Sequence, residues 1–141
     1  MGTIKSKIIN ETGLLLQEYS GDLNMNDMAT YFTGLYQNPE YLNVSLIFSD
    51  FTKAQVTLSI KDITNVANFI LANAPKVQQV NNAILVSEPL VTAYSLLYEE
   101  IMKVMPLYEC SIFSTFQMAA HFISYDVGQL RKLIKTSFAI E

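Results

Sequence analysis

Apolar and polar positions change their period several times along the chain, and each change marks an element. Residues 3–10, TIKSKIIN, alternate loosely, and residues 14–20, LLLQEYS, follow after Glu11-Thr12-Gly13. Two short runs of this kind, joined by a connection that ends in glycine, predict an antiparallel hairpin. From Asn24 the period becomes helical, with Met28, Phe32, Leu35 and Tyr36 on one stripe and Asp27 placed to complete the cap. Asn38-Pro39 stops that helix. The run VSLIF, 44–48, predicts a central strand. A second helix opens at Ser59 on the stripe Ile60, Ile63, Ala67, Ile70, Leu71 and Ala74, and Pro75 closes it.

The same alternation continues to the end. AILV, 83–86, predicts a buried strand. Ser87-Glu88-Pro89 starts a third helix, because proline suits a first turn that needs no amide donor. Leu90, Tyr94, Leu97, Ile101 and Val104 are its predicted inward stripe, and Pro106 follows it. LYECSIF, 107–113, predicts a fifth strand. Ser114-Thr115-Phe116-Gln117 predicts a capping box for a fourth helix, and a last helix is expected from about 126 to 138. The order β-β-α-β-α-β-α-β-α-α predicts an α/β protein: a single mixed five-stranded sheet, an N-terminal hairpin then alternating helices and strands, covered by helices. No repeat, linker or low-complexity segment divides it, so residues 1–141 are expected to form one domain.

Composition narrows the function. Half of the 141 residues are apolar and 16% are charged, which describes a chain with a normal core. Nine basic residues against 13 acidic ones give a net charge of -4, without the clustered Lys and Arg of a nucleic-acid surface. No apolar run reaches the ~18 residues of a membrane span, and the first residues carry no secretory h-region. With one cysteine, Cys110, no internal disulfide forms, which suits a reducing compartment. A cytoplasmic, bacterial protein without stable membrane insertion is expected.

The segment from Asp50 to Ile63, DFTKAQVTLSIKDI, carries a resemblance. The order of elements, and Ser59 nine positions after Asp50, is similar to the STAS domain, the fold of the SpoIIAA-type anti-sigma-factor antagonists. Their motif runs from a strand through Asp-Leu and a short extended piece to Asp-Ser-Ser-Gly-Leu-Gly at a helix start. The resemblance covers residues 3 to about 123 and implies that Ser59 stands where those proteins carry their phosphorylated serine. Leu58 replaces the acidic residue before it, and Ile60-Lys61-Asp62-Ile63 replaces the small residues through which a kinase approaches. The chain therefore resembles the divergent SpoIIAA-like branch, which is grouped with lipid-binding Sec14-type sheets. Read from the residues alone, Ser59 is a helix cap: its hydroxyl accepts from a free amide, a contribution of ~1 kcal/mol, and the Asp62 charge suits the positive helix end. A phosphate there would also be tolerated.

Other candidate chemistry is sparse. His121, the lone histidine, sits in AAHFI with no evident orienter, and Cys110 sits mid-strand without a cationic neighbour to activate it. Five separated glycines make no phosphate loop, and no metal-ligand spacing is present. Neither a cofactor nor an enzyme activity is expected. The eight Tyr and eight Phe are the one functional hint. Tyr31, Tyr36, Tyr94, Tyr98 and Met102 are the candidate lining of an apolar pocket or a subunit interface. Asp50, Ser59, Lys61 and Asp62 are the candidate partner or phosphorylation surface. Together they predict a non-enzymatic regulatory or protein-interaction domain, acting on a protein partner or as a homodimer; the alternative is a carrier or sensor of a small apolar ligand or lipid held between helices and sheet.

Overall fold

Gly13 decides the first connection. Its φ is +70°, a backbone region open to glycine. Its amide donates to Ile9 O at 3.0 Å, and its carbonyl accepts from Ser45 and Leu46. The turn between β1 (Thr3–Ile9) and β2 (Leu14–Leu23) is thereby tied to the entry of β3 (Leu46–Val56). The computed structural model describes residues 2–76 and 78–138. Beyond β3 the strands are β4 (Val80–Leu85) and β5 (Tyr108–Phe113), and the helices are α1 (Met25–Gln37), α2 (Ile60–Asn73), α3 (Pro89–Met102), α4 (Phe116–Phe122) and α5 (Val127–Ser137). A 3-10 turn, Pro39–Asn43, links α1 to β3.

The sheet runs β1-β2-β3-β4-β5, with β1 antiparallel to β2 and the other neighbours parallel. Each parallel step advances the same way across the sheet. Right-handed crossovers then put α1, α2 and α3 on one face. That face buries Leu15, Ile47 and Val80 against Phe32, Val66 and Ile70. After β5 the chain crosses to the other face, where α4 and α5 cover Leu14, Leu16, Phe48, Ala83 and Leu85 with Ala119, Ala120, Ile123 and Leu130. Arg131 lies 4.1 Å over the Phe116 ring and shields that edge.

The mixed five-stranded sheet with its hairpin is as the sequence predicts, and four local readings are corrected. β2 and β3 are longer than their apolar runs. They lengthen each other, pairing Ser20 with Lys53 through to Leu23 with Val56 past a register shift at Tyr19. The predicted stripe of α3 holds only in its middle: Tyr94 and Ile101 face inward, but Val91, Ser95 and Met102 are the buried positions, and Leu90 is 50% and Val104 75% exposed. Ile60, placed on the inward stripe of α2, is 68% exposed, and Val66 takes the buried place instead. Finally, α4 is capped by Thr115, which accepts from Met118 N. With the cap at Thr115 the third helical residue is Met118, which has no oxygen to return the bond, so Gln117 completes no capping box.

Candidate functional site

Three central strands each place one polar side chain on the α1–α3 face. Gln17 on β2, Ser49 on β3 and Asn82 on β4 are 4%, 2% and 7% exposed. A buried polar group costs free energy unless it is hydrogen-bonded, and these three bond one another. Gln17 Nε2 donates to Tyr31 Oη at 2.6 Å, and Tyr19 Oη donates to Gln17 Oε1 at 3.2 Å. Ser49 Oγ lies 2.8 Å from Gln17 Oε1 and 2.9 Å from Asn82 Oδ1, and its single hydrogen serves one of them at a time. Asn82 Nδ2 donates to Tyr108 Oη at 2.9 Å, and the Tyr108 and Tyr98 hydroxyls meet at 3.1 Å. A hydrogen-bonded band thus crosses the sheet from α1 to α3.

Above this band lies a cavity of about 90 Å³ between the sheet and the three helices. Its floor is the polar band. Its walls are aliphatic, from Ile63, Val66 and Ile70 of α2 and Val91 of α3 among others, and tyrosines and phenylalanines from helices and sheet complete them. Among the described residues no acidic or basic side chain is part of it. Tyr19 stacks on Phe51 with ring centroids 3.9 Å apart and closes one side. Burial raises the tyrosine hydroxyls here: Tyr19, Tyr98 and Tyr108 well above the ordinary phenol range, Tyr41 up to about 12. All four are therefore neutral at physiological pH. A wider recess of about 570 Å³ between β1 and α1 is open to solvent and bordered by exposed Ser6, Lys7, Asn10 and Glu40, so it encloses nothing.

Of the tyrosines singled out in the sequence, Tyr36, Tyr94 and Tyr98 line the cavity. Tyr31 stands behind it, bonded to Gln17 and bordering the open recess. Met102 is packed in the core and is not part of the lining. Gln17, Ser49 and Asn82 were not among the candidates, and Tyr41 and Tyr108 join the other tyrosines around α1 and α3 in the lining. A signal for the first three existed: each interrupts an apolar run, LLLQ, LIFS and VNNAIL, at an inward position of a central strand.

The other candidate surface is divided. Ser59 caps α2, accepting from Asp62 N at 3.1 Å, while Asp62 accepts from Ser59 N at 3.1 Å. Lys61 is exposed beside them. Asp50 lies on the opposite face of the sheet, following Leu46 and Phe48, and accepts from the Thr52 amide at 2.8 Å. Cys110 faces α3, and burial, followed by the Glu99 charge, pushes its thiol up to about 12. His121 is exposed on α4 across the sheet, so the two form no pair. Among the described residues no helix is long and apolar enough to cross a membrane, and no group of three His, Cys, Asp or Glu is placed to hold a metal ion.

This arrangement of sheet and helices has a counterpart. The structure of an uncharacterised DUF3478-family protein with a SpoIIAA-like fold, from Shewanella loihica, superposes with a TM-score of 0.54 over 86% of this chain and 93% of that one, at 14% identity. The chain has a SpoIIAA-like fold. No family model and no curated protein matches the sequence. At this identity the SpoIIAA-like likeness speaks for architecture alone, and the site must be argued from its own residues.

Proposed function

We propose that this SpoIIAA-like protein is a non-enzymatic regulatory domain that works by holding a small, mostly apolar ligand between α1–α3 and the sheet. One observation carries the reading: an aliphatic and aromatic cavity with a converging polar floor, the usual make-up of a small-molecule site. Its 90 Å³ is below the ~300–1,000 Å³ of pockets for drug-sized ligands. An engineered cavity of ~150 Å³ takes a benzene, so the occupant here is a smaller molecule, or part of one. The raised thiol of Cys110 and the distance in the fold between it and His121 favour binding over catalysis. The test is ligand-observed NMR with a library of small neutral molecules, run on the native chain and on Ser95→Leu, whose added side chain fills the lining beside α3. Binding by the native chain and its loss in the variant support the reading; no binding by the native chain refutes it.

A second reading, recognition of another copy of the chain, is favoured by the outer side of α3. There Leu90, Leu96 and Val104 are half exposed or more, and Leu107 follows them. Light scattering across a concentration series, with Val104→Lys as the control, tests it: a dimer in the native chain that the variant loses supports self-association, and a monomer at all concentrations ends it.

A further inference from the structure

The hydrogen count of the polar floor goes further than its existence. Ser49 and Tyr19 already engage the two amide oxygens of Gln17 and Asn82. The amide nitrogens of Gln17 and Asn82 each spend one hydrogen, on Tyr31 and Tyr108. Their second hydrogens meet no acceptor among the described residues. Of the facing Tyr98 and Tyr108 hydroxyls, only one donates within the pair. Tyr41, which also lines the cavity and is buried, makes no side-chain hydrogen bond to a described residue. The floor therefore keeps several donor hydrogens without a partner among the described residues.

Charge settles the second property of the ligand. Among the described residues no cationic side chain lines the cavity, so a carboxylate or phosphate would enter without a counter-ion. An ion left unpaired in an apolar interior is far more costly than a neutral dipole. A carbonyl oxygen accepts two hydrogen bonds and brings no net charge.

We infer that the cavity takes an uncharged ligand with a hydrogen-bond acceptor, of the ketone, ester or amide class, its carbonyl oxygen against Asn82, Tyr98 and Tyr108 and its apolar part against Ile63, Val66 and Ile70. This rests on the cavity being a ligand site, as proposed above. Burial that holds the tyrosines protonated keeps them donors across the physiological range.

The experiment compares three small probes of similar size: acetone, acetate and propane. Each is titrated at pH 7 into isotope-labelled protein, and the side-chain amide signal of Asn82 is followed. The expected result is that acetone binds at least tenfold more tightly than acetate and shifts the Asn82 signal, with propane weaker than the ketone. Tyr98→Phe, which keeps the ring, should reduce the preference for ketone over propane at least threefold and leave propane binding unchanged. Acetate binding as tightly as the ketone, or an unchanged preference in Tyr98→Phe, overturns the inference while leaving the cavity a ligand site. Failure of all three probes to bind overturns both.

Discussion

The hydroxyls of Tyr98 on α3 and Tyr108 on β5 meet at 3.1 Å, and Tyr108 alone connects that pair to the sheet through Asn82. The two tyrosines are therefore unequal. Tyr108→Phe strands both Asn82 Nδ2 and Tyr98, and a buried group left without its partner costs about 1–3 kcal/mol. Tyr98→Phe leaves the Asn82–Tyr108 bond intact and should cost less, under about 1 kcal/mol. Urea unfolding of both variants checks the order. Equal losses would mean that the band is not connected in the way the distances indicate.

Alkali should unfold the protein over a defined window. Cys110 and Tyr41 are both raised to about 12 by burial, and Tyr19, Tyr98 and Tyr108 are raised further. Each group stays protonated in the folded chain while the unfolded chain loses its proton near 9 for the thiol and 10 for the phenols. Stability is thus fully present below pH 9 and falls as pH rises toward 12, by about 1.4 kcal/mol per pH unit for each group in its window. Phenolate absorbance and circular dichroism followed together should change in one transition. Phenolate signal from most tyrosines in a still-folded chain would contradict the burial of their hydroxyls.

The phase of α3 is open to a direct comparison. Val91 is buried between α3 and β4, whereas Leu90 and Val104 face outward. Val91→Ala should cost about 1–3 kcal/mol from lost burial and the space left behind. Leu90→Gln and Val104→Gln should each stay within about 0.5 kcal/mol of the native chain, as surface changes do. The reverse order would restore the stripe that the sequence alone suggested.

That contrast shows where the sequence was readable. Prolines and caps punctuate it: Pro39, Pro75, Pro89 and Pro106 bound helices, and Asn24 and Ser59 open them with complete capping boxes. Element order, and with it the sheet, follows. Helix α3 resists because it is apolar nearly all round, so two stripes fit the same period, and a buried serine, Ser95, sits on the true one. The polar floor resists for another reason. Gln17 is opposite Ser49 in the β2–β3 register, and Asn82 comes within reach only once β4 is set beside β3. Each residue interrupts an apolar run in its own strand, but which partner it bonds is set only by the register between strands.

The cap at Ser59 separates structural from regulatory use of that position. Ser59→Ala removes the acceptor for Asp62 N and should cost about 1 kcal/mol, while Ser59→Asp keeps an equally good cap and should cost less. Thermal unfolding of the two variants gives the comparison. If the alanine variant matches the native chain, the hydroxyl contributes nothing as a cap and its place at the helix start needs another explanation.

Gly13 and Gly21 share a left-handed backbone, at φ +70° and +74°, but not a neighbourhood. Alanine at either site carries the strain of that conformation, about 1–2 kcal/mol. At Gly13 an added Cβ would also fall 2.7 Å from Asn43 O, a backbone atom that cannot swing aside. Relieving that clash means loosening the bonds from Ser45 and Leu46 to the Gly13 carbonyl, which fasten the hairpin turn to the start of β3. Gly21 is exposed and is not part of that turn. Gly13→Ala should therefore cost clearly more than Gly21→Ala in urea unfolding, and hydrogen exchange should quicken at the Leu46 amide in the first variant only. Equal costs would show that the turn is held by its dihedral angle and not by its contact with β3.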